Sequence, residues 1–137
     1  MGKLTKKDLQ QIQVLHRQLM RDTDQLCVLN ELASGLGSKP LDDVYVQSSP
    51  PTSSGNRFAE AAADLEVVIQ EEEAVLNYLQ TLVKEFMRTL EDSSEVRIMQ
   101  LRYIECYNWM LISSITGYTE RHVFRLHNKI IEDLPTE

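Results

Sequence analysis

A chain of 137 residues is expected to hold one domain, or one small domain with an appendage. Its 14 basic and 21 acidic residues leave a net charge of −7, and 42% apolar with 7% aromatic content is light for one large globular core. No apolar run approaches the ~18 residues of a membrane span, and Cys27 and Cys106 lie far apart with no secretory signal apparent, which argues against a disulfide framework. Myristoylation after Met1-Gly2 wants Ser or Thr where Lys6 stands. A soluble cytoplasmic protein without a membrane partner is the expectation.

The first element is predicted over about 4–34. Thr5 followed by Asp8 resembles a capping box. Ile12, Leu15, Leu19, Leu26, Leu29 and Ala33 then recur at steps of three and four, broken only at Asp22, as in a coiled-coil seam. Gly35 and Gly37 come next, where a left-handed cap belongs. Residues 35–56, with Pro40, Pro50 and Pro51, read as a long loop in which Val44-Tyr45-Val46 is too brief to assign.

A second helix is predicted from about 56 to 90, roughly 50 Å long at 1.5 Å per residue. Phe58, Ala62, Leu65, Ile69, Leu76, Leu79, Val83, Phe86 and Leu90 form its stripe, breached at Glu72. The rest of the chain is too short to enclose it, so it should lie antiparallel on the first helix and on a second copy, giving a homodimer. Asp22 and Glu72 sit at comparable distances from the loop; they either form a polar layer across the hairpin or turn to the edge of the seam. The run Glu71-Glu72-Glu73 reads as a solvated face. Asp92 or Ser93 can cap the first of three short helices, at about 95–107, 109–116 and 119–133. The expected domains are a hairpin over 1–92 and a C-terminal module over 93–137.

The charge is divided along the same line. Residues 40–96 hold three basic and twelve acidic groups, whereas 97–137 hold five of each. An acidic protein is on average a poor nucleic-acid binder, because phosphate neutralisation supplies most of the affinity. A locally neutral module with its Arg residues on one face can still bind.

Residues 109–126, WMLISSITGYTERHVFRL, meet the requirements of a helix-turn-helix. Gly117 supplies a left-handed turn residue, and Ser113, four positions earlier, lets the helices approach. Ile112, Ile115, Tyr118, Val123 and Leu126 take inward positions, and Asn108 and Thr119 stand where N-caps belong. A helix opened by Thr119 would present Glu120, Arg121, His122, Phe124, Arg125 and Asn128 to the major groove of double-stranded DNA. Arg121 and Arg125, one turn apart, suit guanine edges or phosphates, and Glu120 suits a cytosine amine or the helix N-terminus. Phe124 could meet a thymine methyl or pack on the coil. Lys129 and His127 are expected to serve the DNA backbone or nothing.

The run Met99-Gln100-Leu101-Arg102-Tyr103-Ile104-Glu105, then Asn108-Trp109-Met110-Leu111-Ile112, Gly117-Tyr118-Thr119, Val123 and Leu134, resembles region 4 of sigma-70-type factors. The likeness covers 96–134, and the whole chain resembles in outline the short sigma-like regulators of phages and prophages of Gram-positive bacteria. It departs from the family pattern at Ser113, where Ala is usual, and at Leu111, where Glu is usual. The resemblance implies an all-α protein that reads a promoter beside RNA polymerase. The chain has no room for a core-polymerase-binding region 2, so a regulator is expected rather than a free-standing sigma factor.

Two rivals remain. A phage small terminase-like packaging subunit also joins a helix-turn-helix to a coil, but forms a ring rather than a dimer. A protein-interaction module would use the acidic coil of 60–73 to contact RNA polymerase without binding DNA. An enzyme is not expected, nor a cofactor or metal. His16, His122 and His127 lack partners at catalytic or metal spacing, and Gly35-Leu36-Gly37 comes after a helix rather than a strand. Cys106 is expected as a buried apolar residue within the helix of 95–107.

Overall fold

The computed structural model describes residues 3–35 and 52–136; the assignments for 36–51, Val44-Tyr45-Val46 among them, lie outside this range. The described residues are helical, with no strand. α1 spans Lys6–Ser34, α2 Thr52–Met87 and α3 Ser93–Met99, which runs on into a π-helical turn, Gln100–Ile104; α4 spans Trp109–Thr116 and α5 Glu120–Glu132.

The ends of these helices have local causes. The Thr5 and Asp8 side chains each accept the other residue's backbone N–H at 3.1 Å, so the capping box forms. α1 stops at Gly35, whose φ of 80° is open to glycine at little cost. α2 starts at Thr52, inside the stretch expected as loop, and closes at Met87 as its last carbonyls accept tight i→i+3 bonds from residues 88–90. Asp92 caps α3 by accepting the Ser94 N–H at 2.8 Å.

Residues expected as one helix over 95–107 do not stay α-helical. After Met99 the chain widens, the Glu105 N–H reaches back to the Gln100 carbonyl, and the helix ends at Ile104. Cys106 is therefore not a buried helical residue. It is half-buried in the connection, with a left-handed φ of 61°, and burial pushes its thiol pKa up.

The chain forms two compact units, Met1–His16 with Ala74–Glu137, and Arg17–Glu73. In the first, Ile12 and Leu15 of α1 and Leu76, Leu79 and Val83 of α2 are buried as expected. So is Leu82, which lay off the predicted stripe: it lines a cavity with Leu4, Phe86 and Leu134, so α2 has a second apolar neighbour there. Phe86 is half-buried. Both termini belong to this unit, and the Lys6 N–H donates to the Pro135 carbonyl at 2.9 Å.

Among the described residues of the unit Arg17–Glu73, burial is thinner. Ile69 and Ala62 are buried, but the seam residues Leu19, Leu26, Leu29 and Leu65 are only half-buried. Here Asp22 and Glu72 do meet. Burial raises the Glu72 carboxyl pKa, and the hydrogen bond and charge of Asp22 raise it further. The two acids thus face each other, and the mutual repulsion of two carboxylates favours the protonated form of Glu72.

A carboxyl whose pKa is raised by folding contributes stability below its ordinary value of 4.5, and this is lost as pH rises through the raised value. Glu72→Gln, which donates an amide hydrogen to Asp22 at any pH, is expected to raise the thermal midpoint at pH 7 by a few degrees. The gain over the native chain should shrink as pH falls toward 4.5, as followed by far-ultraviolet circular dichroism.

Candidate nucleic-acid interface

α4 and α5 are joined by three residues, each with a separate task. The Asn108 side chain accepts the Leu111 N–H at 2.8 Å and opens α4. Gly117 closes it at φ 80°, ψ 2°, its N–H donating to the Ser113 carbonyl at 2.9 Å. Thr119 opens α5 by accepting the His122 N–H at 3.1 Å. Ser113 does more than leave room: its hydroxyl donates to the Tyr118 carbonyl and ties the connection to α4. The Tyr118 hydroxyl in turn lies 2.9 Å from that of Ser94 on α3.

Beneath the connection, Ile98, Ile112 and Val123 are fully buried, one from each of α3, α4 and α5, with Leu101, Tyr107, Trp109, Tyr118 and Leu126 packed around them. Ile115 does not join them and is 39% exposed. The inward stripe of this short helix is Trp109, Ile112 and Thr116, and Ile115 falls roughly 100° round from its centre. Its carbonyl accepts from the Arg97 guanidinium at 3.4 Å.

Of the candidate DNA-contacting residues, Glu120, Arg121, Arg125 and Asn128 are exposed on α5, with Arg121, Arg125 and Asn128 aligned at i, i+4 and i+7. Thr119 is exposed, but its hydroxyl is used by the cap. His122 is half-buried, edge-on to Tyr118 at 4.7 Å. Phe124 is 40% exposed and edge-on to Trp109 at 5.2 Å, so it packs on α4 rather than on the coil. Lys129 is exposed and forms an ion pair with the nearly buried Glu95 at 3.4 Å.

His127, expected to serve the DNA backbone or nothing, is instead part of the interior. Its Nε2 shares a 2.6 Å hydrogen bond with the Tyr103 hydroxyl, and its ring lies 4.8 Å edge-on from Trp109. The Arg102 guanidinium sits over the Trp109 ring at 4.1 Å and donates to the Tyr107 carbonyl at 3.1 Å. Burial, with the Arg102 charge, pushes the His127 pKa down to about 4, and burial pushes Tyr103 up to about 12. The sequence holds the signal, since His127 stands four residues after Val123 and three before Ile130, on the inward stripe of α5.

Gln13 and Gln80 carry no such signal. Gln13 donates to the Arg102 carbonyl at 3.0 Å, and Gln80 donates to those of Tyr103 at 3.0 Å and Ile104 at 3.3 Å. No local pattern marks them, because their partners lie 89 and 23–24 residues away. Compared with known proteins, the chain matches no family model, no curated protein and no solved structure.

Gly117→Ala should destabilise the unit by about 1–2 kcal/mol, from the left-handed backbone alone, because a Cβ there meets nothing within 4 Å. Urea denaturation measures it. The unfolded chain takes up a proton that buried His127 refuses, so the stability its neutral form contributes is lost as pH falls from 6.5 through about 4. His127→Gln should flatten the pH dependence of the urea midpoint across that window.

Proposed function

We propose that the protein is a sequence-specific DNA-binding transcription regulator of phage or prophage type. In this reading α1 and α2 form a long antiparallel hairpin that dimerises, and 93–137 form a sigma-region-4-like helix-turn-helix with α5 as reading helix. The observation that carries it is the pairing of a left-handed Gly117 cap with a Thr119 N-cap, two residues apart, opening a helix that exposes Arg121, Arg125 and Asn128. Arg121 and Arg125 stand one turn apart, a spacing suited to bidentate contact with guanine or to adjacent phosphates. The ring contacts of His122 and Phe124 and the ion pair of Lys129 with Glu95 narrow the face to this stripe and Glu120.

The acidic residues concentrate outside the module, so Arg121 and Arg125 act in a locally neutral setting. Affinity from so few cations should be modest and salt-dependent. A dimer compensates by engaging two half-sites at once.

A second reading has its own support on α4. Met110, Leu111 and Ile115 are 68%, 41% and 39% exposed, more apolar surface than a helix resting on a phosphate backbone needs. This favours contact with a protein, RNA polymerase being the partner consistent with transcription control.

Fluorescence anisotropy against promoter fragments from the neighbouring genome tests both. Arg121→Ala or Arg125→Ala should each weaken a selected site by about 1–3 kcal/mol, with Met110→Ser and Leu111→Ser leaving DNA affinity unchanged. Unchanged DNA binding in both arginine variants would overturn the reading face. Polymerase capture abolished by the α4 variants, with no DNA shift at low salt, would establish the second reading instead.

A further inference from the structure

Within the unit Arg17–Glu73, the segments of α1 and α2 each carry a second stripe beside the seam. On α1 it is Gln18, Arg21, Gln25, Val28 and Leu32, and on α2 Ala61, Asp64, Val68 and Glu71, again at steps of three and four. Each of these residues stands one position before a seam residue, so both stripes lie roughly 100° round from the seam in the same sense. Two antiparallel helices packed through their seams turn such flanks to one side, so the stripes share a face of the hairpin. Val28 and Val68 are 47% and 42% exposed there, and Leu32 and Ala61 are only half-buried.

The charges on this face are divided by helix. The α1 stripe holds Arg21 and no acid, whereas the α2 stripe holds Asp64 and Glu71 and no base. All three are exposed, and none forms an ion pair among the described residues. Since Asp22 meets Glu72, their chain neighbours Arg21 and Glu71 stand within a turn of each other along the hairpin. The other flank of α1 offers no comparable surface, because Arg17, Asp24 and Glu31 surround Met20 there.

We propose that a second copy of this chain covers the face about a two-fold axis parallel to the helices, so that α1 of each copy lies on α2 of its partner. Such an axis preserves position along the hairpin. It therefore sets Arg21 against the partner's Glu71 and Val28 beside the partner's Val68, with two of each contact per dimer. Charge complementarity selects this pairing. An axis across the helices would instead lay α2 on α2, acids against acids, and leave Arg21 facing a helix of its own sign. The product is a four-helix bundle in which the exposed valines are covered. This dimer presupposes the antiparallel hairpin of the proposed function and is independent of DNA binding.

Sedimentation equilibrium of the full chain over a dilution series reads the dimer directly. Because each contact occurs twice, Arg21→Glu should raise the dissociation constant about tenfold or more, and Glu71→Arg likewise. The double exchange of Arg21→Glu with Glu71→Arg restores opposite charges and should restore the native dimer, which shows that the fold is not at issue. Arg17→Glu, the same change of charge off the stripe, should leave the dimer as it was. A dimer that neither single reversal weakens, or that the double exchange fails to restore, overturns this face and leaves dimerisation to another surface of the hairpin. A monomer at every concentration overturns both the face and the dimerising hairpin.

Discussion

Three backbone carbonyls, those of Arg102, Tyr103 and Ile104, must find donors where the helix of 93–104 ends. A half-buried carbonyl without a partner costs about 1–3 kcal/mol, and two glutamines supply the missing N–H groups. Gln13 reaches one carbonyl from α1 and Gln80 reaches the other two from α2. The same three residues place Tyr103 under His127 and Arg102 over Trp109, so the interior of α4 and α5 is positioned from this point. The π-helical turn makes the arrangement possible, since it changes the direction in which residues 102–104 present their groups.

Among the described residues, burial is divided unequally between the two units. Residues near the π-helical turn are covered by several helices, and Ile12 and Val83 are fully buried. Among the described residues of the unit Arg17–Glu73, two helical segments share the work. A pair of helices covers one stripe of each and leaves its leucines half-exposed, with an acid pair in place of an apolar layer. Most helical stability comes from packing an amphipathic face rather than from propensity, so this region gains the most from any further contact.

The candidate interface is defined by what packing leaves over. A strongly amphipathic helix such as α5 spends Val123, His127 and Ile130 on the interior, and the flanking His122 and Phe124 on aromatic edges from α4 and the connection. Lys129 leans to Glu95 of α3. The outward remainder is narrower than the face the sequence suggests and more basic in its centre. On α4 the remainder is apolar, which gives the two helices surfaces of different chemistry and different classes of partner.

Sequence alone settled what is decided within a few residues. The Thr5–Asp8 box, the Asn108 and Thr119 caps, the Gly117 turn and the helices over 109–116 and 119–133 depend on hydrogen bonds spanning two to five positions, and each is present. The three-and-four stripe likewise identified most of the inward side of α1 and α2, because helical period and burial are coupled. Tertiary structure decided the rest. The reassignment of His127 to the interior, the exposure of Ile115, the burial of Leu82 and the encounter of Asp22 with Glu72 each depend on what another helix presents opposite them. The end of the helix at Ile104 and the left-handed Cys106 belong to the same class, since glutamines distant in the chain satisfy the carbonyls there. Short-range geometry is written in adjacent residues; the environment of a side chain is written in residues tens of positions away.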